Sequence, residues 1–223
     1  MKWLLLVAIA VVSGCAKLPD VGTGGTSKRL IFTLTVQGEI KSNYVYVIAL
    51  RPSQELNPTT QGPIPVIAPP WGNGFVAGNC THFVRWDPAQ SPRYILYQFR
   101  DTNLIDFFQL GVPINYVDVT PGGKVLKFEL NLDQIAPVNP ELIQSVQVNF
   151  LTMDRVPSGT GGTKNWDALG DGRLPSEINE YITIPLRTSG VYDNTRFGDL
   201  EPSNDAPDPD LEITDFEVEV RLQ

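Results

Sequence analysis

The sequence predicts an all-β sandwich of the jelly-roll or immunoglobulin-like kind, on three observations. Apolar residues recur at every second position through Leu30, Phe32, Leu34 and Val36, and again through Leu126, Phe128, Leu130 and Leu132. Period two is the side-chain alternation of a half-buried strand. The apolar runs are short and are punctuated by 19 Gly and 19 Pro, the residues that turns require. Helix signals are scarce: residues 133–136 and 140–144 have room for a turn or two, and neither carries an extended stripe at 3.6-residue spacing. Many short strands with turn residues between them bury their apolar faces by packing sheet on sheet.

The chain opens with Met1-Lys2, then an unbroken apolar run from Trp3 to Val12, then Ser13-Gly14-Cys15. A positive charge, an apolar stretch and small residues before a cleavage point form an export signal. The run is about half the roughly 20 residues that a bilayer-spanning helix needs. Val12-Ser13-Gly14-Cys15 resembles the lipobox of bacterial lipoproteins. That resemblance implies that residues 1–14 are removed and that the Cys15 thiol takes a diacylglyceryl group, with acylation of the new amino terminus. Several acyl chains together anchor stably where a single one does not. Ala16, in place of an inner-membrane-retaining aspartate, points within the same resemblance to the outer membrane of a Gram-negative envelope. Residues 15–28, with Pro19, Gly22, Gly24, Gly25 and runs of Ser and Thr, are then a flexible tether, and residues 29–223 form one domain.

Within that domain further strands are expected at residues 44–51, 83–86, 93–100, 116–119, 146–153 and 181–187. Pro185 confines the last of these to a sheet edge, because proline cannot donate to a ladder. Near the C-terminus Leu211 and Ile213 share one parity, while Phe216, Val218, Val220 and Leu222 share the other. A bulge or turn at Thr214-Asp215 accounts for the switch, and the closing strand should run from an edge into the core. Three long loops, at residues 52–74, 157–175 and 190–210, are candidates for function. The segment 124–135 after the Pro121-Gly122-Gly123 turn, and the segment 208–218, resemble parts of carbohydrate-binding sandwiches of the family 9 and DOMON-like kind. About thirty residues carry that likeness, and no binding residue transfers with it.

Composition excludes some functions. With 17 Lys+Arg against 25 Asp+Glu the net charge is −8, so the basic face that nucleic acid requires is missing. His82 is the single histidine, which rules out multi-histidine metal sites. There is no Gly-x-Ser-x-Gly elbow and no phosphate-cradling glycine loop. Of the two cysteines, Cys15 is given to lipid and Cys80 has no intrachain partner. Cys80 and His82 would share a strand face, as a thiol nucleophile and its base require. Cys80, Val84 and Trp86 on that face read more simply as core, with the cysteine buried and inert.

Two groups of residues are candidate sites. Trp71 in Pro69-Pro70-Trp71-Gly72-Asn73-Gly74 and Trp166 in Asn165-Trp166-Asp167 lie in loop contexts. Exposed rings beside Asn73, Asn165 and Asp167 would suit stacking on sugars; the alternative is that each ring tucks back to cap an open end of the sandwich. Asp193, Asp199, Glu201, Asp205, Asp208, Asp210, Glu212 and Asp215 crowd one Pro-rich stretch, with Asp154, Asp167 and Asp171 as a weaker second group. Carboxylates are ligands for Ca²⁺, and Asp205, Asp208 and Asp210 are the expected set, although an acidic loop is more often only solvated. The sequence therefore reads as an envelope-anchored, non-enzymatic binding or assembly module, its partner a polysaccharide or an envelope protein. The competing reading is an accessory or weak glycosidase-like hydrolase using loop carboxylates, which would need two acids held at a set distance.

Overall fold

The computed structural model describes residues 28–222. The expected leader 1–14, the lipidation position Cys15 and the tether as far as residue 27 lie outside the described residues. Lys28, expected at the end of the tether, is instead the first residue of a strand.

The domain is an all-β sandwich of antiparallel sheets. In chain order the strands are β1 (Lys28–Val36), β2 (Val45–Ser53), β3 (Pro63–Pro65), β4 (Val76–Gly78), β5 (His82–Trp86), β6 (Tyr94–Phe99), β7 (Phe107–Gly111), β8 (Asn115–Val117) and β9 (Val125–Asn131). A single helical turn, α1 (Leu132–Ile135), and a 3₁₀ turn at Pro140–Leu142 precede β10 (Ser145–Met153), β11 (Trp166–Ala168), β12 (Ile182–Pro185), β13 (Gly190–Asp193) and β14 (Ile213–Leu222). One sheet runs β13-β14-β1-β9-β8; the other runs β11-β10-β2-β5-β6-β7, with β12 also on β10. Strands β3 and β4 form a separate hairpin.

The alternating faces of β1 and β9 supply one side of the core and those of β2, β5 and β10 the other: Phe32, Phe128, Ile48, Val84 and Phe150 are all buried in one cluster. β14 carries the expected bulge. Asp215 faces Thr35 and Ile213 faces Val36, leaving Thr214 as the extra residue. The strand is not at an edge, since β13 and β1 flank it on either side. β12 does lie at an edge, as Pro185 requires.

In the second sheet β2 and β10 are buried on both faces. Ile48 and Leu50 of β2 face the inter-sheet core, whereas Val45, Val47 and Ala49 join Phe75, Val76, Cys80, Phe83, Phe99, Leu104, Leu151 and Met153 in a second cluster on the outer face. The excursion between β2 and β5 covers it. Phe75 from that excursion sits 4.9 Å from Phe83, measured between ring centroids, and Phe83 stacks on Tyr97 at 4.8 Å. The outward polar residues of β10 hold the covering loops: Ser145 Oγ donates to the Glu55 carbonyl at 2.6 Å, and the Asn149 amide donates to the carbonyls of Pro63 and Glu180 at 3.0 and 2.9 Å. A buried amide satisfied in this way stabilises the loop, because leaving it unpaired would cost about 1–3 kcal/mol. No helix among the described residues is long and apolar enough to cross a membrane.

Candidate metal centre and the residues around it

Loop 52–74, a candidate for function by its length, is part of this outer cover, and Trp71 is its anchor. The ring is only 3% exposed. Its Nε1 donates to the Gly161 carbonyl at 2.9 Å, and the Lys164 ammonium lies 5.7 Å from the ring centroid. Asn73 is spent on structure as well. Its amide donates to the carbonyls of Val76 and Leu104, both at 2.7 Å, and its oxygen accepts from the N–H groups of Phe75 and Val76, both at 2.9 Å. All four hydrogen-bonding positions of that side chain are used. A platform of two solvent-facing rings is therefore corrected at Trp71, which caps the outer cluster.

Asn165, Trp166 and Asp167 line a different depression, a pocket of about 160 Å³ shared with Lys164, Gly172, Asp205 and Pro207. Trp166 is half-buried and packs against the outer cluster. Lys164 reaches across to the Gly74 carbonyl at 2.7 Å, and burial pushes its ammonium down to about 8. Asp167 is buried beneath the pocket, its carboxylate accepting from the N–H groups of Ala168 at 2.9 Å and Ile213 at 2.6 Å.

The expected calcium set does not converge. Asp208 accepts the Tyr44 hydroxyl at 2.6 Å. Asp210 accepts the Glu39 N–H at 2.8 Å and lies 3.4 Å from the Lys41 ammonium. These two carboxylates tie the segment before β14 to the connection between β1 and β2. Asp205 instead meets Asp167 and Glu212, with one carboxylate oxygen of each within 4.8 Å of the others. Glu212 accepts from the N–H groups of Asn204 and Ala206, and Asp205 from that of Gly172 at 2.7 Å. Glu201 lies buried nearby. It is 2% exposed, accepts the Gly170 N–H at 3.2 Å, and feels the charges of Asp167, Asp205 and Glu212.

Burial first, and the neighbouring carboxylates second, push Glu201 up to about 12 and Asp167 well above the carboxylate range. Burial raises Asp205 too, against the pull of the Gly172 N–H. Acids from the two sequence groups thus meet at one point. The hint in sequence is the Asp167 side chain between Trp166 and Ala168 in a short apolar run; Glu201 and Glu212 carry no local sign of burial.

Cys80 and His82 are both buried, but on opposite sides of the sheet. Cys80 belongs to the outer cluster with Phe83, whereas Val84 and Trp86 face the inner core, so the shared face expected for Cys80, Val84 and Trp86 is corrected. Burial pushes the Cys80 thiol up to about 12 and the His82 imidazole down to about 4. His82 Nδ1 meets the Thr81 hydroxyl at 2.8 Å, and its buried Nε2 has no partner among the described residues.

One further feature escaped the sequence reading. β7 ends one sheet and β8 ends the other, joined by only three residues, 112–114, so the two free edges lie on one side of the sandwich. Residues 107–117 carry no charge, and Leu110, Val112, Ile114, Tyr116 and Val117 are all exposed. On the opposite side β12 ends in Pro185, β13 is met by the Arg196 side chain, which donates to the Val191 carbonyl at 3.0 Å, and β11 offers an edge of only three residues. Comparison with protein-family models, curated proteins and solved structures returns no match for this chain.

Proposed function

We propose that the protein is an exported, lipid-anchored assembly module that presents the β7–β8 side of its sandwich to an envelope protein. The carrying observation is that side itself: two adjacent free strand edges, an uncharged stretch of chain, and a row of exposed apolar side chains. Free edges are templates for strand pairing, and folded proteins ordinarily blunt them with charge, proline or a cover. Contiguous exposed apolar surface marks interaction sites. The partner that fits is a protein supplying an extended apolar segment, bound through main-chain hydrogen bonds with alternate side chains as specificity contacts. Supporting a non-enzymatic role, Cys80 and His82 are sealed in separate layers and cannot act as nucleophile and base. A polysaccharide partner has less support, because Trp71 and Asn73 are engaged in holding loops together. The lipobox resemblance at residues 12–15 supplies the anchor.

One experiment tests both halves. Cells expressing the full chain are cross-linked, fractionated and probed, comparing wild type, Cys15→Ser and the double variant Val112→Glu/Val117→Glu. Wild type should be in the envelope fraction with a discrete cross-linked partner. Cys15→Ser should leave that fraction, and the double variant should stay there but lose the partner while its melting temperature changes little, as exposed substitutions do. An unchanged cross-linking pattern in the double variant overturns the assembly reading; unchanged fractionation of Cys15→Ser overturns the anchor.

A further inference from the structure

Three acidic side chains, Asp167 on β11, Asp205 in the connection after the 3₁₀ turn at Thr195–Phe197, and Glu212 just before β14, bring one carboxylate oxygen each within 4.8 Å of the others, and the buried Glu201 is near enough to feel their charge. Among the described residues no ion pair joins any of them to a basic side chain; Lys164 is directed to the Gly74 carbonyl, and Arg173 is paired with Asp171 at 2.8 Å. Six backbone N–H groups point at the four carboxylates, yet two oxygens have nothing. Glu201 Oε1, on a side chain almost wholly buried, and Asp205 Oδ1 are closed to solvent and accept no hydrogen bond from any described residue. Buried acceptors are nearly always satisfied, and each exception calls for an occupant or a use.

We propose that Asp167, Asp205 and Glu212 bind a hard divalent cation of the Ca²⁺ class, reached through the pocket beside Trp166. The donors are oxygens alone, the set that selects Ca²⁺ or Mg²⁺ over softer metals. Ca²⁺ suits the site better, because it takes 6–8 oxygens in flexible geometry, whereas Mg²⁺ demands a near-ideal octahedron. The pocket of about 160 Å³ opens on Asp167 and Asp205, which leaves room for water ligands. The ion would neutralise negative charge beside the buried Glu201 and give Asp205 Oδ1 the partner it lacks. It would also fasten three separate segments, the β11 turn, residues 201–206 and the start of β14, at a single point.

The test uses Tb³⁺ as the probe and Ca²⁺ as competitor on the full chain in detergent. Excitation of tryptophan should give sensitised Tb³⁺ emission, since Trp166 lines the same pocket, and Ca²⁺ should displace it. Asp205→Asn, the mildest change because Asp205 is only half-buried, should weaken Ca²⁺ binding at least tenfold in calorimetry. Trp166→Phe should lose most of the emission and keep the calorimetric heat. Wild type should also melt at a higher temperature in Ca²⁺ than in chelator, a comparison that stands even where a variant fails to fold. The proposal is overturned by wild type that shows neither emission nor heat and melts identically in both buffers. It is equally overturned by Ca²⁺ binding that survives Asp205→Asn and Glu212→Gln undiminished, which would place the ion on the surface acids.

Discussion

Acidification should destabilise the domain through His82, and the size of the effect follows from where the ring sits. The imidazole is 4% exposed, its Nδ1 is held by the Thr81 hydroxyl, and its Nε2 has no partner among the described residues. Desolvation lowers it from 6.5 to about 4. A folded value depressed below the unfolded one gives stability that is fully present above about pH 6.5. That stability is lost as the pH falls, because below about 4 the ring must charge in both states. A difference of about 2.5 units corresponds to about 3 kcal/mol, or roughly 6–12 °C in melting temperature for a domain of this size. Carboxylates titrate over the same range, so the informative quantity is wild type minus His82→Gln, measured by urea unfolding at pH 7 and pH 4. Wild type should lose about 3 kcal/mol more than the variant. Because His82 is the only histidine in the chain, its ring resonance gives an independent midpoint, expected near 4. A midpoint near 6.5, or a stability difference that stays flat with pH, would show that the ring is hydrated and that the reasoning fails.

Trp71→Ala should cost about 3–5 kcal/mol of stability, the usual penalty for emptying a large buried site, whereas Trp71→Phe should lose little beyond the hydrogen bond to Gly161, about 1 kcal/mol. Unchanged melting of Trp71→Ala together with loss of retention on insoluble polysaccharide would restore the ring to a binding role. Cys80, whose Sγ lies 3.2 Å from the His82 carbonyl under the outer cover, should react with a disulfide reagent slowly in the folded domain and at once in urea. A thiol that reacts as fast folded as unfolded would show that the cover opens.

Which elements the sequence could disclose depended on how many of their faces meet solvent. β1 and β9 alternate because one face packs inward and the other is wetter, and their limits are read to within a residue or two. β2 and β10 are buried on both sides, so the run from Tyr44 to Leu50 has no period, and strand character rests on β-branched and aromatic content. The three-residue strands β3, β4 and β11 are too short for any period to emerge. Cys80 shows how parity fails: counting by two from Trp86 through His82 assumes an extended chain, but the strand begins at His82, and the residues before it turn toward the outer cluster. The loops that cover that cluster looked like functional candidates because they are long and polar, when it is their backbone carbonyls, accepting from the polar side chains of β10, that bond them to the sheet.

The acids obey a different logic, because carboxylate burial depends on chain closure and leaves no trace in local pattern. Asp167 and Ile213 are 46 positions apart, and the bond between them joins the second sheet to the head of β14. Asp205, Asp208 and Asp210 are near neighbours in sequence and separate in space because Asp208 and Asp210 are drawn to Tyr44 and to Glu39 and Lys41 in the connection between β1 and β2. Spacing along the chain was therefore the wrong measure of a ligand set. The better measure is the number of independent segments a cluster fastens: an acid that only solvates a loop leaves its neighbours' backbone unbound, whereas each of these four accepts an N–H from a residue six or more positions away in the chain. That same dependence makes the site costly to lose. Removing a carboxylate would free loop backbone at the mouth of the pocket as well as weaken the ion, so binding and local order should fail together.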